Sequence, residues 1–224
     1  MSNSTFSMAS ISKKVITALA GLFLITFLAV HLSTNLLMLK PDDGKSFREA
    51  VDFMTTNPII RVMEPILFAG FVIHILLALI VTVRNWMARP VGYKVAQKSY
   101  TYFMSKYMFH TGAIVFIFLV LHLWHFFAIK VGWNPPAEMM SDKHDFYPLA
   151  VYLFQQPLFS AFYLISFVFL GFHLNHALQS GFQTLGWNHN KYTPAVKVIS
   201  AVYAIVISVG FAIIPVYFLF LFKG

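Results

Sequence analysis

The sequence contains no cysteine. The chain therefore cannot hold an iron–sulfur cluster through thiolates, attach haem through a C-x-x-C-H motif or form an internal disulfide. Charge is also scarce, since 11% of the 224 residues are Asp, Glu, Lys or Arg, whereas a soluble domain has about 25%. Together with a hydrophobic content of 58%, this scarcity indicates an integral membrane protein.

Five stretches of the chain lack charge over a length that can cross a bilayer, which takes about 20 helical residues. The fourth stretch, Phe146 to Asn190, is too long for one straight span. We place its helix between Pro157 and Gly181, residues typical of a helix start and a helix end. We therefore predict an all-α membrane protein with a single transmembrane domain over residues 1–224. The five predicted helices cover about residues 15–39, 62–84, 107–130, 157–180 and 197–222.

The first predicted helix follows Lys13 and Lys14, as the apolar region of a secretory signal would. It is too long for such a region, and no cleavage site of small residues follows it. We expect it to be retained as a membrane helix.

Acidic residues are missing from one side of the predicted membrane protein. Short loops make neighbouring helices antiparallel, so all eight Asp and Glu fall on the side opposite the N-terminus, with seven Lys and Arg. The N-terminal side has nine Lys and Arg, which favours a cytoplasmic N-terminus and predicts affinity for acidic proteins or lipid headgroups. These nine are Lys13, Lys14, Arg84, Arg89, Lys94, Lys98, Lys106, Lys191 and Lys197.

The outer loop after the first helix contains the segment SFREAVDFM. Phe47, Val51 and Met54 recur at helical spacing in it, which predicts a short amphipathic helix at the membrane interface.

Six of the nine histidines lie inside the predicted spans, where an ionisable side chain usually marks a pathway, a cofactor or a buried pair. Counted along their helices, His31 and His122 lie about 25 Å from the inner flank. His74 and His173 lie about 12 to 15 Å from the inner ends of theirs. The histidines thus form two layers, with one pair in each.

In an up-down four-helix bundle the first and third helices face each other diagonally, as do the second and fourth. Each layer then places two imidazoles across the core, and such a pair can hold the iron of a haem b by axial coordination. Gly70 and Gly171, close to His74 and His173, would let a porphyrin approach the backbone. We therefore expect the first four helices to form an up-down bundle around two haems.

Two points stay open from spacing alone. His125 and His176 each lie one turn from a paired histidine and could serve instead of it. Imidazole also suits zinc and copper, although each layer offers two clear ligands and no intramembrane carboxylate or thiolate completes a shell.

Four segments in order give the chain a family resemblance over nearly its whole length. They are ALAGLFLITFLAVHLSTNL, FVIHILLAL, TGAIVFIFLVLHLWHF and LGFHLNHALQSGFQTLG. With them, the chain resembles the cytochrome b membrane anchor of succinate:quinone oxidoreductases, of the single-anchor, two-haem type found among succinate dehydrogenases and fumarate reductases. The resemblance implies that His31 and His122 ligate an outer haem b, and that His74 and His173 ligate an inner one.

The resemblance also implies partners and a location. A flavoprotein with FAD and an iron–sulfur subunit would dock on the cytoplasmic face in a bacterial inner membrane, and no nucleic-acid partner is expected. Electrons would reach a quinone, menaquinone in much of this group, near the outer haem. Glu49 and Glu64 flank that end and are the candidates for proton exchange. Some menaquinol-oxidising relatives have a glutamate where Gly171 stands here, so its absence favours succinate oxidation, which the chain alone would not catalyse.

Two other functions compete with this interpretation. A cytochrome b anchor of a hydrogenase or formate dehydrogenase also uses histidine pairs in a helical bundle. A haem-free metal transporter or structural anchor would use its histidines to bond metal or one another.

Overall fold

The computed structural model describes residues 10–87, 100–135 and 137–222, and within these ranges all regular structure is helical. A 3₁₀ turn at Leu37–Leu39 follows the first helix, and π-helical turns at Leu123–Phe127 and Tyr217–Leu221 follow the fourth and the last. The α-helices are α1 (Ser10–Leu36), α2 (Lys45–Thr56), α3 (Pro58–Met87), α4 (Tyr100–His122), α5 (Ala128–Lys130), α6 (Phe146–Phe154), α7 (Pro157–Thr184) and α8 (Thr193–Val216).

Five helical segments of the described chain are long and apolar enough to cross a membrane, which confirms the predicted multi-pass membrane protein. They are Ile11–Leu39, Pro58–Met87, Tyr107–Lys130, Pro157–Thr184 and Thr193–Leu221. The third keeps its predicted bounds, and the other four are longer than predicted.

The second span begins at Pro58 rather than near residue 62 because Asn57 caps it. The side-chain oxygen of Asn57 accepts a hydrogen bond from the Ile59 backbone N–H at 2.9 Å, and proline is favoured in a first turn. α8 likewise starts at Thr193, with Pro194 in its first turn. Arg61 therefore lies inside α3, although it precedes the predicted start of that helix.

The spans alternate in direction, and their two ends differ in charge. We call the end at which α1 begins the basic end and the opposite end the acidic end. All eight Asp and Glu residues lie in segments 42–64 and 138–145, which belong to the acidic end. Of the nine basic residues assigned above to the other end, Arg89, Lys94 and Lys98 lie outside the described residues, and the side chain of Lys106 is not described.

The first four spans form a ring. α1 packs on α3 and α7, and α4 packs on α7. α3 meets the chain after α4 through the rings of Phe68 and Phe127, whose centroids are 4.6 Å apart. In this ring α1 is diagonal to α4, and α3 is diagonal to α7.

The fifth span, α8, lies outside the ring against α1 and α7. The Tyr203 hydroxyl donates to the Ile25 carbonyl of α1 at 2.6 Å. A Cβ added at Gly210 would stand 2.7 Å from Leu32 Cδ2, and one added at Gly171 would stand 2.7 Å from Ser208 Oγ. Small residues thus let α8 approach its two neighbours closely, as is common between membrane helices.

The acidic end is covered by α2 and α6. The predicted amphipathic helix is present as α2, with Phe47 buried and Val51 packed on the main core. Arg48 Nε donates to Asp145 Oδ1 at 2.8 Å, and the Ser141 hydroxyl donates to Asp145 Oδ2 at 2.8 Å. This clamp joins α2 to the loop before α6.

The clamp should be sensitive to acid. Burial raises the pKa of Asp145, but the Arg48 guanidinium and the Ser141 hydroxyl outweigh it and leave that pKa below its ordinary value. A carboxyl with a lowered pKa in the folded state stabilises the fold above the unfolded-state pKa of about 3.9 and loses this effect as the pH falls through the folded value.

We therefore expect Asp145→Asn to destabilise the detergent-solubilised protein at pH 7 by roughly 1 kcal/mol, measured by thermal unfolding. The difference from wild type should shrink as the pH falls below about 4. Asp52→Asn, at an exposed carboxylate of α2, is the control and should change little. An Asp145→Asn penalty that persists unchanged in acid would show that the charge of the clamp is not the cause.

Candidate functional site

The histidine pair nearer the acidic end consists of His31 on α1 and His122 on α4. Their ring centroids are 5.9 Å apart, and the ring planes are inclined by 80°. Two imidazoles that bind one metal ion from opposite sides have centroids about 6 Å apart, because each metal–nitrogen bond is about 2.0 Å long. The spacing of His31 and His122 therefore fits axial ligands of a shared metal.

Aromatic side chains surround this pair. Phe27 stacks on His31 at 5.3 Å, and Phe118 stacks on His122 at 5.7 Å, with Phe126 at 5.2 Å from His122. The two rings therefore lie in an apolar shell of aromatic side chains inside the helix ring.

The pair nearer the basic end consists of His74 on α3 and His173 on α7, two helices that are diagonal to each other in the ring. Each ring lies against a glycine of a neighbouring helix. A Cβ added at Gly21 would be 3.2 Å from His74 Cε1, and one added at Gly112 would be 3.3 Å from His173 Cε1. The two glycines make room for the rings.

Hydrogen bonds define which nitrogen of the basic-end rings carries the proton. His74 Nδ1 is 3.3 Å from the Thr17 carbonyl oxygen, which can only accept, so Nδ1 is the donor. His173 Nδ1 is 3.5 Å from Thr111 Oγ1, and the single hydroxyl hydrogen of Thr111 goes to the Met108 carbonyl at 3.0 Å. Thr111 Oγ1 therefore accepts from His173 as well, and Nδ1 is the hydrogen-bond donor in both rings.

Nδ1 is also the contacting atom in the acidic-end pair. His122 Nδ1 lies 3.3 Å from the hydroxyl oxygen of Tyr163, which is 2% exposed. His31 Nδ1 lies 3.4 Å from the amide nitrogen of Asn35, which also donates to the His31 carbonyl at 2.8 Å. An amide nitrogen only donates, so this contact makes His31 Nδ1 an acceptor, unlike the Nδ1 atoms of His74 and His173. Within the described ranges, the hydrogen bonds of His74, His122 and His173 use Nδ1 and leave Nε2 out. Metal-binding histidines have this arrangement, in which the second nitrogen holds the ring in place.

The two neighbouring histidines are placed differently. His125 lies in the π-helical turn after α4, with its ring edge-on to Phe159 at 5.0 Å. Its Nδ1 is buried without a hydrogen-bond partner among the residues described. His176 lies one turn beyond His173, towards the basic end. The histidine whose ring lies next to His31 is therefore His122. His125 packs instead on Phe159 of α7.

Gly70 and Gly171, which were predicted to lie beside the basic-end histidines, contact other residues. A Cβ at Gly70 would meet Phe23 Cδ1 at 3.2 Å, and Gly171 faces Ser208 of α8. The glycines that lie against the His74 and His173 rings are Gly21 and Gly112. Sequence reasoning missed them because it examined the histidines' own helices, whereas a ring projects across to the neighbouring helix.

The two glutamates at the acidic end differ in their surroundings. Glu64 Oε2 accepts from Lys130 Nζ at 2.6 Å, and both side chains are about 70% buried, with exposures of 31% and 27%. Glu49 is 67% exposed, and its carboxylate lies 4.0 Å from Lys45 Nζ. Of these two glutamates, only Glu64 links two membrane spans, because it lies in α3 and Lys130 lies at the end of the third span.

The described part of the chain has no group of three or more His, Cys, Asp or Glu side chains that could hold a metal ion. Comparison with protein-family models, with curated proteins and with solved structures found no match. The functional interpretation therefore depends on the geometry of the two histidine pairs.

Proposed function

We propose that the chain is the di-haem cytochrome b anchor of a succinate dehydrogenase complex. The observation that supports this most strongly is the approach of the His31 and His122 rings across one diagonal of the helix ring, with centroids 5.9 Å apart. At His74, His122 and His173 the hydrogen bonds also use Nδ1 and leave Nε2 out. In this proposal His74 and His173 hold an inner haem b, and His31 and His122 hold an outer one.

The residues around the pairs fit this cofactor. Two haems would supply a one-electron relay from an iron–sulfur subunit to a quinone. The chain itself positions the ligand rings through Thr17, Thr111 and Tyr163, and it leaves space beside His74 and His173 through Gly21 and Gly112. Aromatic side chains exclude water from His31 and His122.

The charge distribution supports a docking side. The end at which α1 begins has no side-chain carboxylate, because all eight acidic residues lie at the other end. In our proposal the basic end faces the bacterial cytoplasm, where the iron–sulfur subunit binds through an acidic surface and carries the FAD-containing flavoprotein. Basic residues on that side also agree with the positive-inside rule.

A quinone, which is menaquinone in much of the family that the chain resembles, would react at the acidic end near the outer haem. Of the two glutamates proposed for proton exchange, Glu64 is the better candidate because it is half-enclosed between two spans and paired with Lys130. An enclosed carboxylate can take up or release a proton beside a bound quinone.

Replacing one ligand at a time tests the proposal. We expect His31→Leu or His122→Leu to remove the outer haem and spare the inner one, and His74→Leu or His173→Leu to do the reverse. The measurement is the haem-to-protein ratio with the reduced-minus-oxidised spectrum of the purified complex. His125→Leu and His176→Leu are matched controls and should retain both haems. Two haems in every ligand variant would contradict the assignment.

Tyr163→Phe should change one haem only. If His122 binds iron through Nε2, its Nδ1–H donates to the Tyr163 oxygen and makes the ring a stronger electron donor. Loss of the hydroxyl should raise the midpoint potential of the outer haem in a redox titration and leave the inner one unchanged. Tyr203→Phe also removes a buried hydroxyl, the donor to Ile25, and serves as the control. Equal shifts in both haems would refute this role.

Gly112→Ala should disturb the inner site, because the added Cβ would lie 3.3 Å from His173. Overpacking costs about 1–3 kcal/mol, so we expect roughly tenfold weaker retention of the inner haem, followed as haem content during dilution in detergent. Gly181→Ala is the control, since its Cβ would meet only Leu22 at 3.8 Å, an ordinary contact. Loss of the outer haem instead would mean that the two layers are assigned the wrong way round.

A further inference from the structure

One side of the helix ring is packed less closely than the others. We call it the α3–α4 side, because it lies between α3 and the third span, Tyr107–Lys130. α1 packs on α3 and α7, and α4 packs on α7, whereas no comparable backbone packing joins α3 to the third span within the described residues. Membrane helices are held together mainly by such close packing, so the ring is weakest at the α3–α4 side.

The burial of side chains agrees with this. Gly70, which faces Phe23 of α1, is the only buried residue of α3. α4 has no buried residue among those whose side chains are described, and its His122 is only partly buried. α7, by comparison, has eight buried residues. Side chains between closely packed helices are buried, so α3 and α4 are not enclosed on the side that they share.

Two pairs of aromatic rings connect α3 to the third span. Phe68 and Phe127 meet towards the acidic end, with ring centroids 4.6 Å apart. Trp86 and Phe109 meet towards the basic end, with centroids 5.0 Å apart. Large side chains thus reach across the α3–α4 side at two levels, although the backbones of the two spans do not pack along each other.

The stretch between the two aromatic contacts borders both histidine pairs. Trp86 is 18 positions after Phe68 on α3, which corresponds to about 27 Å at 1.5 Å per residue. His74 lies between them, and His122 lies between the corresponding two aromatic residues of the third span. The α3–α4 side therefore adjoins one histidine of each pair.

The other three sides of the ring are closed by packed helices. α8 adds a further layer against α1 and α7, where Gly171 and Gly210 allow close approach. The acidic end is covered by α2 and α6, and the Arg48–Asp145 ion pair joins α2 to the loop before α6. A molecule that reached the histidines from the acidic end would have to displace this cover.

We propose that haem enters and leaves the helix ring sideways from the lipid, between α3 and the third span, and that the two aromatic contacts separate to let it pass. This proposal rests on the proposed function, because it takes haem as the ligand of the histidine pairs. The porphyrin is largely apolar and partitions into the hydrocarbon. Separating α3 from α4 disrupts little packing, because these two spans bury few residues.

The absence of cysteine from the chain allows a test by cross-linking. Phe68→Cys with Phe127→Cys, and in a second variant Trp86→Cys with Phe109→Cys, place thiols across the α3–α4 side, and a short reducible bis-thiol reagent joins them. The purified complex is mixed with an apo-globin that captures released haem. We expect haem transfer, followed by absorption, to be at least tenfold slower in the bridged complex than in the same sample after the bridge is reduced.

The matched control joins two spans on a closed side. Gly171→Cys with Ser208→Cys links α7 to α8, because a Cβ at Gly171 would lie 3.4 Å from Ser208 Cβ, close to the spacing of about 3.5–4.5 Å in a disulfide. Haem transfer should be equal before and after this bridge is reduced. Comparing bridged and reduced forms of one sample removes any effect of the substitutions on folding.

The other outcomes each overturn the proposal. Unchanged transfer with the two α3–α4 bridges in place would mean that haem passes through another side of the ring. Equal slowing by the α7–α8 bridge would mean that general stabilisation, and not closure of this side, controls release. A wild-type complex without haem would refute the proposed function as well, whereas normal haem content with unslowed release refutes the route alone.

Discussion

The architecture depends on how imidazole rings are accommodated inside an apolar helix ring. Each ring has two polar nitrogens, and the hydrocarbon offers neither a partner. The chain satisfies Nδ1 from its own groups, namely a carbonyl at His74, a threonine hydroxyl at His173 and a tyrosine hydroxyl at His122. At these three rings Nε2 makes no hydrogen bond with the residues that the structure describes, and our proposal assigns it to an iron ion.

Different helices position the histidine pairs and cover the acidic end. α7 and α8 contain most of the buried side chains and pack closely through small residues such as Gly171 and Gly210. α7 also carries His173, and Tyr163 on the same helix contacts His122. A rigid α7 thus supports both histidine pairs, while α2 and α6 cover the acidic end through the Arg48–Asp145 clamp.

Hydropathy was sufficient to predict five membrane spans, and helical spacing placed His31 and His122, which lie close together, at one level. The predicted starts of α3 and α8 were too late, because Asn57 caps α3 before Arg61 and Pro194 lies in the first turn of α8 before Lys197. His125 lies in a π-helical turn, which leaves no local pattern in the sequence.

The other features that the sequence did not predict are contacts between different helices. Gly21 and Gly112 are far in sequence from the rings they face, so only the packed structure relates them to His74 and His173. Glu64 and Lys130 are likewise 66 positions apart and form one ion pair. The composition of a single span does not encode such partners.

The most direct test of the central claim is the haem content of the purified wild-type protein. The account predicts two non-covalently bound haems of the b type per chain, with a sharp absorption band in the reduced state. A colourless protein, or one with a single haem per chain, would contradict it.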